Sequence, residues 1–434
     1  MVRTFKYAVS STQSRLERVR NMSDQNVNPI PLRSFEPFSV EYLEDPYPFM
    51  ANAREVAAAF YCAEFDYWIV TRYEDIRRIF QSPASFSAAN TLAPLTEPCP
   101  MAKAALKDGG YTPVPALVNV DPPAHTRARR LANVAFTPKR VAAMEVFIRE
   151  VTRRFCDERL RDGRADLIGD LAWALPVLVL FRVLGLPESD VARVKEGARN
   201  RGLLLFGRAS EAEQVSAATE LASFWRYASA LVDARTETPA DDLISALAQA
   251  RDGEDEALTR QEVAAIVMIM FFAGNETTTC LIGNSFRRLL EDRPSWQAIC
   301  RDPELIPNAI EEVLRIESSV ITWRRITTEA VDIGGVRVPA KAKLLLLLGS
   351  ANRDPSVFPE PDRFDIRRAN AREHLSFGFG PHTCLGSPLA RLQVRIVLEE
   401  VSRRLPGLQL APEVRYEYPK NISLRGPLSL PVTW

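Results

Sequence analysis

One run constrains this 434-residue chain more than any other: Phe377-Gly378-Phe379-Gly380-Pro381-His382-Thr383-Cys384-Leu385-Gly386, followed by Leu389-Ala390-Arg391. It sets one cysteine in a glycine-rich loop that runs directly into a segment of helical period, with Leu389 and Gln393 four apart. Pro388 falls in the first turn of that helix, where a missing N–H costs little. Glycines let a backbone pass flat and close to a large planar group. A thiolate persists in such a loop only with positive surroundings, backbone N–H donors or a bound metal. An inert cysteine at a helix start is the plain alternative, and a loop this specific leaves it little room.

Above about 250–300 residues chains usually divide into domains. No Gly/Ser tract, long charge run or internal repeat marks a linker here, and a bulky central cofactor is one way to keep such a length together. The expected organisation is a flexible extension over 1–35 and a single domain over 36–434. Residues 1–20 are basic and serine-containing, faintly like a transit peptide; a disordered tail, or a start at Met22, is the expectation. A formal net charge of zero gives no hint of nucleic acid. The six cysteines form no Cys-x-x-Cys pair, which points to a reducing, cytoplasmic compartment rather than a disulfide framework. No segment reaches the roughly 18–20 apolar residues of a membrane span. The densest, 175–186, contains Pro176 and Arg182 and reads as a buried helix.

Along the chain, 23–50 is proline-rich and reads as irregular. Two β-rich runs around Ala63-Glu64 predict a hairpin over 60–71, and 73–80 a short helix. The stretch 82–120, with Pro94, Pro98, Pro100, Pro113 and Pro115, reads as a long loop, a length usually reserved for function. Helical periods dominate 124–290, with breaks at Pro138, Gly163, Pro187 and Gly253, and 261–290 reads as one long helix. Another helix covers 303–316. Strands flank Gly334-Gly335 across 330–348 and end in five leucines, a buried strand. The fold class is mainly α with a minor β-sheet region (α+β).

Three further constellations carry chemistry. Ala273-Gly274-Asn275-Glu276-Thr277-Thr278 lies inside the long apolar helix. Threonine hydroxyls compete there for i−4 carbonyls, and a local kink makes room for water or a ligand. Glu312 and Arg315 are three apart, on one helical face, with Pro361-Asp362-Arg363-Phe364 downstream. In Asp121-Pro122-Pro123-Ala124-His125-Thr126-Arg127-Ala128-Arg129, His125 and Arg129 share a face. The chain has three histidines, His125, His374 and His382, too few for a separate histidine-built metal site.

Taken in this order, the four segments resemble the cytochromes P-450, over roughly residue 36 to the C-terminus. The resemblance implies that fold, with haem b as cofactor. Cys384 becomes the axial thiolate, in a loop where Phe377, Gly378 and Gly386 contact the cofactor. A thiolate ligand pushes electron density onto iron and favours O–O cleavage. It implies that Thr277 holds dioxygen and helps deliver protons, with Glu276 upstream as a positioned donor. It implies a structural Glu312–Arg315–Arg363 cluster. His125, Arg129, Arg325 and His382 are assigned to the haem carboxylates, with Arg324 the adjacent alternative to Arg325, since carboxylates want paired cationic donors. His374 is a structural residue near the cysteine loop. The implied substrate pocket is walled by 82–118, Leu203 to Phe206 and the long helix, with Met268, Ile269, Phe272, Ala273, Val320 and Ile321 as candidates, though each is equally suited to plain core packing.

Asp66-Tyr67-Trp68-Ile69-Val70-Thr71-Arg72-Tyr73, Trp323-Arg324-Arg325 and Asn421-Ile422-Ser423-Leu424-Arg425-Gly426-Pro427 resemble a narrower group, the bacterial members fused to a phthalate-dioxygenase-type reductase. Lys341 departs from the family, which commonly has glycine at that turn. The function implied is a monooxygenase inserting one oxygen atom of O2 into a C–H bond of an apolar molecule, by hydroxylation, dealkylation or epoxidation. Electrons come from a ferredoxin or flavodoxin-type donor with its reductase, with neither nucleic acid nor membrane as partner. A peroxide-driven or non-oxygenating enzyme and a haem-based sensor are the competing classes. Arg127, Arg130, Lys139, Arg140, Arg391 and Arg395 form either a docking face for an acidic donor or an ordinary solvated surface.

Overall fold

The computed structural model describes residues 35–112, 114–191, 202–251, 257–412 and 415–434. Residues 1–34 of the expected extension and the expected break at Gly253 lie outside them. The architecture is mainly helical with three small sheets.

The strands, in chain order, are β1 (Ala59–Cys62), β2 (Tyr67–Val70), β3 (Phe86–Ser87), β4 (Arg164–Asp166), β5 (Thr322–Thr327), β6 (Val331–Ile333), β7 (Val336–Val338), β8 (Lys343–Leu347), β9 (Gln409–Leu410) and β10 (Pro431–Thr433). The largest sheet runs β1-β2-β8-β5-β3. The hairpin β1/β2 forms where expected, with Asp66 at φ 56° closing its turn. β8 takes four of the five leucines; it pairs parallel to β2 and antiparallel to β5, buried from Leu344 onward. Leu348 leaves the strand to start the short helix Leu348–Ala351. β5, which places Arg324 and Arg325, carries no strong strand signal in the sequence.

Several helices start where a side chain meets their orphan N–H groups. Thr137 caps Pro138–Arg159, and Ser210 and Thr259 form capping boxes with Glu213 and Glu262 on Glu211–Glu237 and Arg260–Ala273. Leu175–Leu184 is the expected buried helix, ended by Gly185 at φ 68°. The loop expected over 82–120 contains a helix, Pro100–Asp108, whose N-cap is the Cys99 sulfur accepting from the Ala102 N–H. Likewise the irregular stretch up to residue 50 holds Val40–Glu44, capped by Ser39, and the start of Tyr47–Val56.

The single helix expected over 261–290 is two: Arg260–Ala273 and Glu276–Glu291, broken at Gly274-Asn275. Taken as one stretch, Arg260–Glu291 is long and apolar enough to cross a membrane, contrary to the expectation, but 67% of its apolar window is buried inside the protein. It serves as a core helix. One apolar cluster joins it to Leu175–Leu184 and to the Ala124–Ala135 helix. Another joins Glu276–Glu291 to Pro138–Arg159 and to Ser387–Arg404, the helix that follows the cysteine loop.

Candidate haem site

The cysteine loop is held at both ends before it reaches Cys384. The Leu375 N–H donates to Asn352 Oδ1 at 2.7 Å, and Asn352 Nδ2 reaches the Ser376 hydroxyl at 2.8 Å. The Gly378 N–H then donates to the Leu375 carbonyl, and the Cys384 N–H to the Phe377 carbonyl at 2.9 Å. Gly378 and Gly380 both sit at φ 69°, a region that side chains avoid. A Cβ on Gly380 would lie 2.7 Å from the Phe80 carbonyl oxygen, so the loop packs directly on the end of the Tyr73–Gln81 helix. A Cβ on Gly386 would lie 3.9 Å from the Cys384 sulfur.

Cys384 is exposed by area, yet enough protein surrounds its thiol to desolvate it. Burial pushes its pKa up, and the N–H groups of Gly386 and Ser387 and the charges of Arg129 and Arg391 oppose the rise. These are the supports a thiolate ligand requires. Leu385 packs on the same cluster as Ile269 and Met270 of the broken helix. There Ala273 is exposed although Phe271 and Phe272 before it are buried, and the Thr277 hydroxyl donates to the Ala273 carbonyl at 2.6 Å. That bond bridges the break, since Ala273 is the last residue of one helix and Thr277 the second of the next.

Beside the loop lies a cluster of cationic groups with too few anions. The rings of His125 and His382 approach to 3.9 Å, and neither His125 Nδ1 nor His382 Nε2 has a hydrogen-bond partner. Burial, then Arg129 and Arg325, hold His125 below its ordinary pKa. Burial, then Arg325 and His125, push His382 down to about 3. Burial lowers Arg129 as well, and brings Arg325 down to about 10 against the pull of Asp121. Asp121 is itself engaged by the Ser87 hydroxyl and the Ala88 N–H. Four groups that resist charging one another, two with orphaned nitrogens, fit a ligand that brings carboxylates. With a desolvated thiol on glycine-spaced backbone next to them, the donor set fits haem.

A family model described as Cytochrome P450 matches residues 224–406. The mycinamicin IV hydroxylase/epoxidase of Micromonospora griseorubida is 38% identical over 372 residues, 85% of this chain and 89% of that protein. The chain belongs to the cytochrome P450 family. The P450 heme domain of Tepidiphilus thermophilus superposes with a TM-score of 0.89 at 36% identity, covering 93% of this chain and 97% of that one. An intact type IV self-sufficient cytochrome P450 monooxygenase matches with the same TM-score at 37% identity, over 93% of this chain and 53% of its own.

Two features of this P450 differ from the sequence reading. Glu312 and Arg315 form a buried two-pronged pair at 2.7 and 2.8 Å, but the third member is not Arg363. The Arg363 side chain is exposed and pairs with Glu360, and only its carbonyl accepts from Arg315. Arg368 takes the place, donating to Glu312 Oε1 at 3.2 Å. The pocket candidates also divide. Phe272 and Ile321 share a cluster with Leu205 and Phe206, and Val320 packs against it, whereas Ile269 packs on a different cluster.

The sequence reading missed an anchor behind the loop. Glu311 accepts from Arg391 at 2.7 and 2.9 Å and meets His374 Nε2 at 3.1 Å; Arg391 lies 4.6 Å over the Phe377 ring. Of the six basic residues considered for a docking face, four hold carboxylates: Arg127 with Glu262, Arg140 with Asp241, Arg391 with Glu311, and Arg395 with Glu145 and Glu399. The solvated-surface reading gains from this.

Proposed function

We propose that this P450 monooxygenase hydroxylates a C–H bond of a small to medium apolar organic molecule: RH + O2 + 2 e− + 2 H+ gives ROH + H2O. The observation that carries it is the N–H-supported Cys384 beside two arginines and two histidines, the histidines each with an orphaned ring nitrogen. Bound haem supplies the reductive activation of dioxygen and the oxygen transfer. Cys384 holds the iron, and His125, Arg129, Arg325 and His382 hold the carboxylates. The Thr277 hydroxyl spends its proton on the Ala273 carbonyl, so it presents lone pairs to the pocket and accepts from a proton-carrying water. Glu276 supplies protons from behind it. Ala273, Phe272, Val320 and Ile321 orient the substrate and exclude water.

Electrons come from a donor of ferredoxin or flavodoxin type with its reductase. The chain forms one domain over 36–434 and works in the cytoplasm, a reading supported by six free thiols. The reduced carbon-monoxide difference spectrum tests the assignment. The haem-loaded protein should show the red-shifted Soret band of a thiolate ligand, and Cys384→Ser should lose it. An unchanged band in that variant overturns the role of Cys384.

A further inference from the structure

Of the five buried arginines among the described residues, three hold carboxylates directly and two, Arg324 and Arg325, do not. Arg315 holds Glu312, and Arg287 and Arg425 both hold Glu317, at 2.6 and 2.9 Å. Arg325 has Asp121 nearby and stands in the haem-carboxylate cluster. Arg324, 1% exposed, has none. Its guanidinium donates to two backbone carbonyls, Ala93 and Leu205 (the latter at 2.6 Å), with the Tyr67 hydroxyl close by. It stacks 4.8 Å over the Phe206 ring, and its Nε has no acceptor. All these partners are neutral. A buried cation without a counter-charge costs several kcal/mol.

Its position suggests what the charge is for. β5 alternates, so Arg325 points to the haem carboxylates while Arg324 enters the cluster of Tyr67, Leu205, Phe206, Phe272 and Ile321. Phe206 stacks on Phe272 at 6.0 Å, next to Ala273 at the helix break. The two carbonyls held by Arg324 belong to the two segments that cover this cluster, the 82–112 stretch and the helical turn 202–206.

We infer that Arg324 is the counter-ion of the substrate, and that the pocket takes molecules with an apolar body and one oxyanion head, a carboxylate or a phosphate monoester. The inference rests on the monooxygenase reading for the location of the pocket. The oxyanion replaces the Ala93 or Leu205 carbonyl on the guanidinium fork and uses the free Nε. It exchanges a neutral acceptor for a charged one, which makes a stronger bond.

Matched probes decide it on the haem-loaded full chain: dodecanoate against methyl dodecanoate, and 4-propylphenyl phosphate against 4-propylphenol. Dissociation constants are read by calorimetry and by the haem spin-state shift. At least one anion should bind about tenfold or more tightly than its neutral partner, and which pair shows it identifies the head group. Arg324→Gln should bring the ratio of anion to neutral affinity to about one, whatever happens to the neutral probes themselves, and Arg324→Lys should keep part of the preference. Equal binding of both pairs by the unaltered protein overturns the inference, whether or not the variants fold. So does an Arg324→Gln protein that retains the preference. If neutral probes still shift the spin state while anions gain nothing, the monooxygenase reading stands without the anion site. Loss of the thiolate spectrum is the separate failure of that reading.

Discussion

Gly380 sits at φ 69° with the Phe80 carbonyl oxygen 2.7 Å from where a Cβ would be, and it opens the turn Gly380–His382 that leads to Cys384. Gly380→Ala therefore meets both a disfavoured backbone region and a backbone clash that no rotamer relieves. The expected loss is about 2–3 kcal/mol of stability with reduced haem per chain, measured by denaturant unfolding and haem content. Gly335→Ala is the control: its φ is 86° but nothing lies within 4 Å, so only the conformational cost of about 1 kcal/mol applies. At this scale the sequence was readable where the chemistry is local. Cys384 among glycines and His125 four residues before Arg129 are short-range patterns. Glu311 meets Arg391 across 80 residues, and Arg368 replaces Arg363 at Glu312 because both offer a guanidinium from the same irregular segment. No spacing rule separates those two.

The break at Gly274-Asn275 turns one apolar helix into two, and Thr277 fastens the ends together through the Ala273 carbonyl. Thr277→Ala removes that tie and the hydroxyl from the pocket. Haem binding should be unchanged, while product formed per dioxygen consumed should fall roughly tenfold or more as protons arrive unguided. Parallel measurement of oxygen uptake and product reads this directly, and undiminished coupling would remove Thr277 from the proton path. Elements with a clean period were legible: the β1/β2 hairpin, the leucine strand β8, the buried helix Leu175–Leu184. Pro100–Asp108 was not, because prolines mark a loop and a cysteine in place of Ser, Thr, Asp or Asn hides the cap. β5 was missed because two arginines occupy inward positions that strands give to apolar residues. Lys341 confirms in the backbone what its departure from the family suggests: it holds φ 60° in the turn that leads from β7 into β8.

Across the whole molecule, distant elements are joined through a few buried carboxylates. Glu400 accepts from Arg149, Arg153, Arg403 and Arg404, tying the Pro138–Arg159 helix to the one that follows Cys384. Burial pushes Glu311 up, but His374 and Arg391 pull further and leave it at about 2. Glu317 behaves alike: burial raises it, while Arg287, Arg425 and Arg353 bring it to about 2. A carboxylate held below its unfolded value stabilises the fold above that value. The share these two carboxylates contribute is therefore constant from neutral pH down to about 4.5 and falls steeply between 4.5 and 2, by roughly 3 kcal/mol for each, on top of the loss that the depressed histidines begin below about 6.5. Unfolding by denaturant across that range checks it; a midpoint that does not move between pH 4.5 and 3 contradicts the assignment. The haem-carboxylate cluster works in the opposite sense. The native fold packs His125 and His382 against Arg129 and Arg325, desolvates all four and holds both histidines toward the neutral form until something anionic arrives. A cell that makes this chain faster than it makes porphyrin would accumulate a protein straining against its own interior, so its yield should be limited by pigment supply rather than by translation.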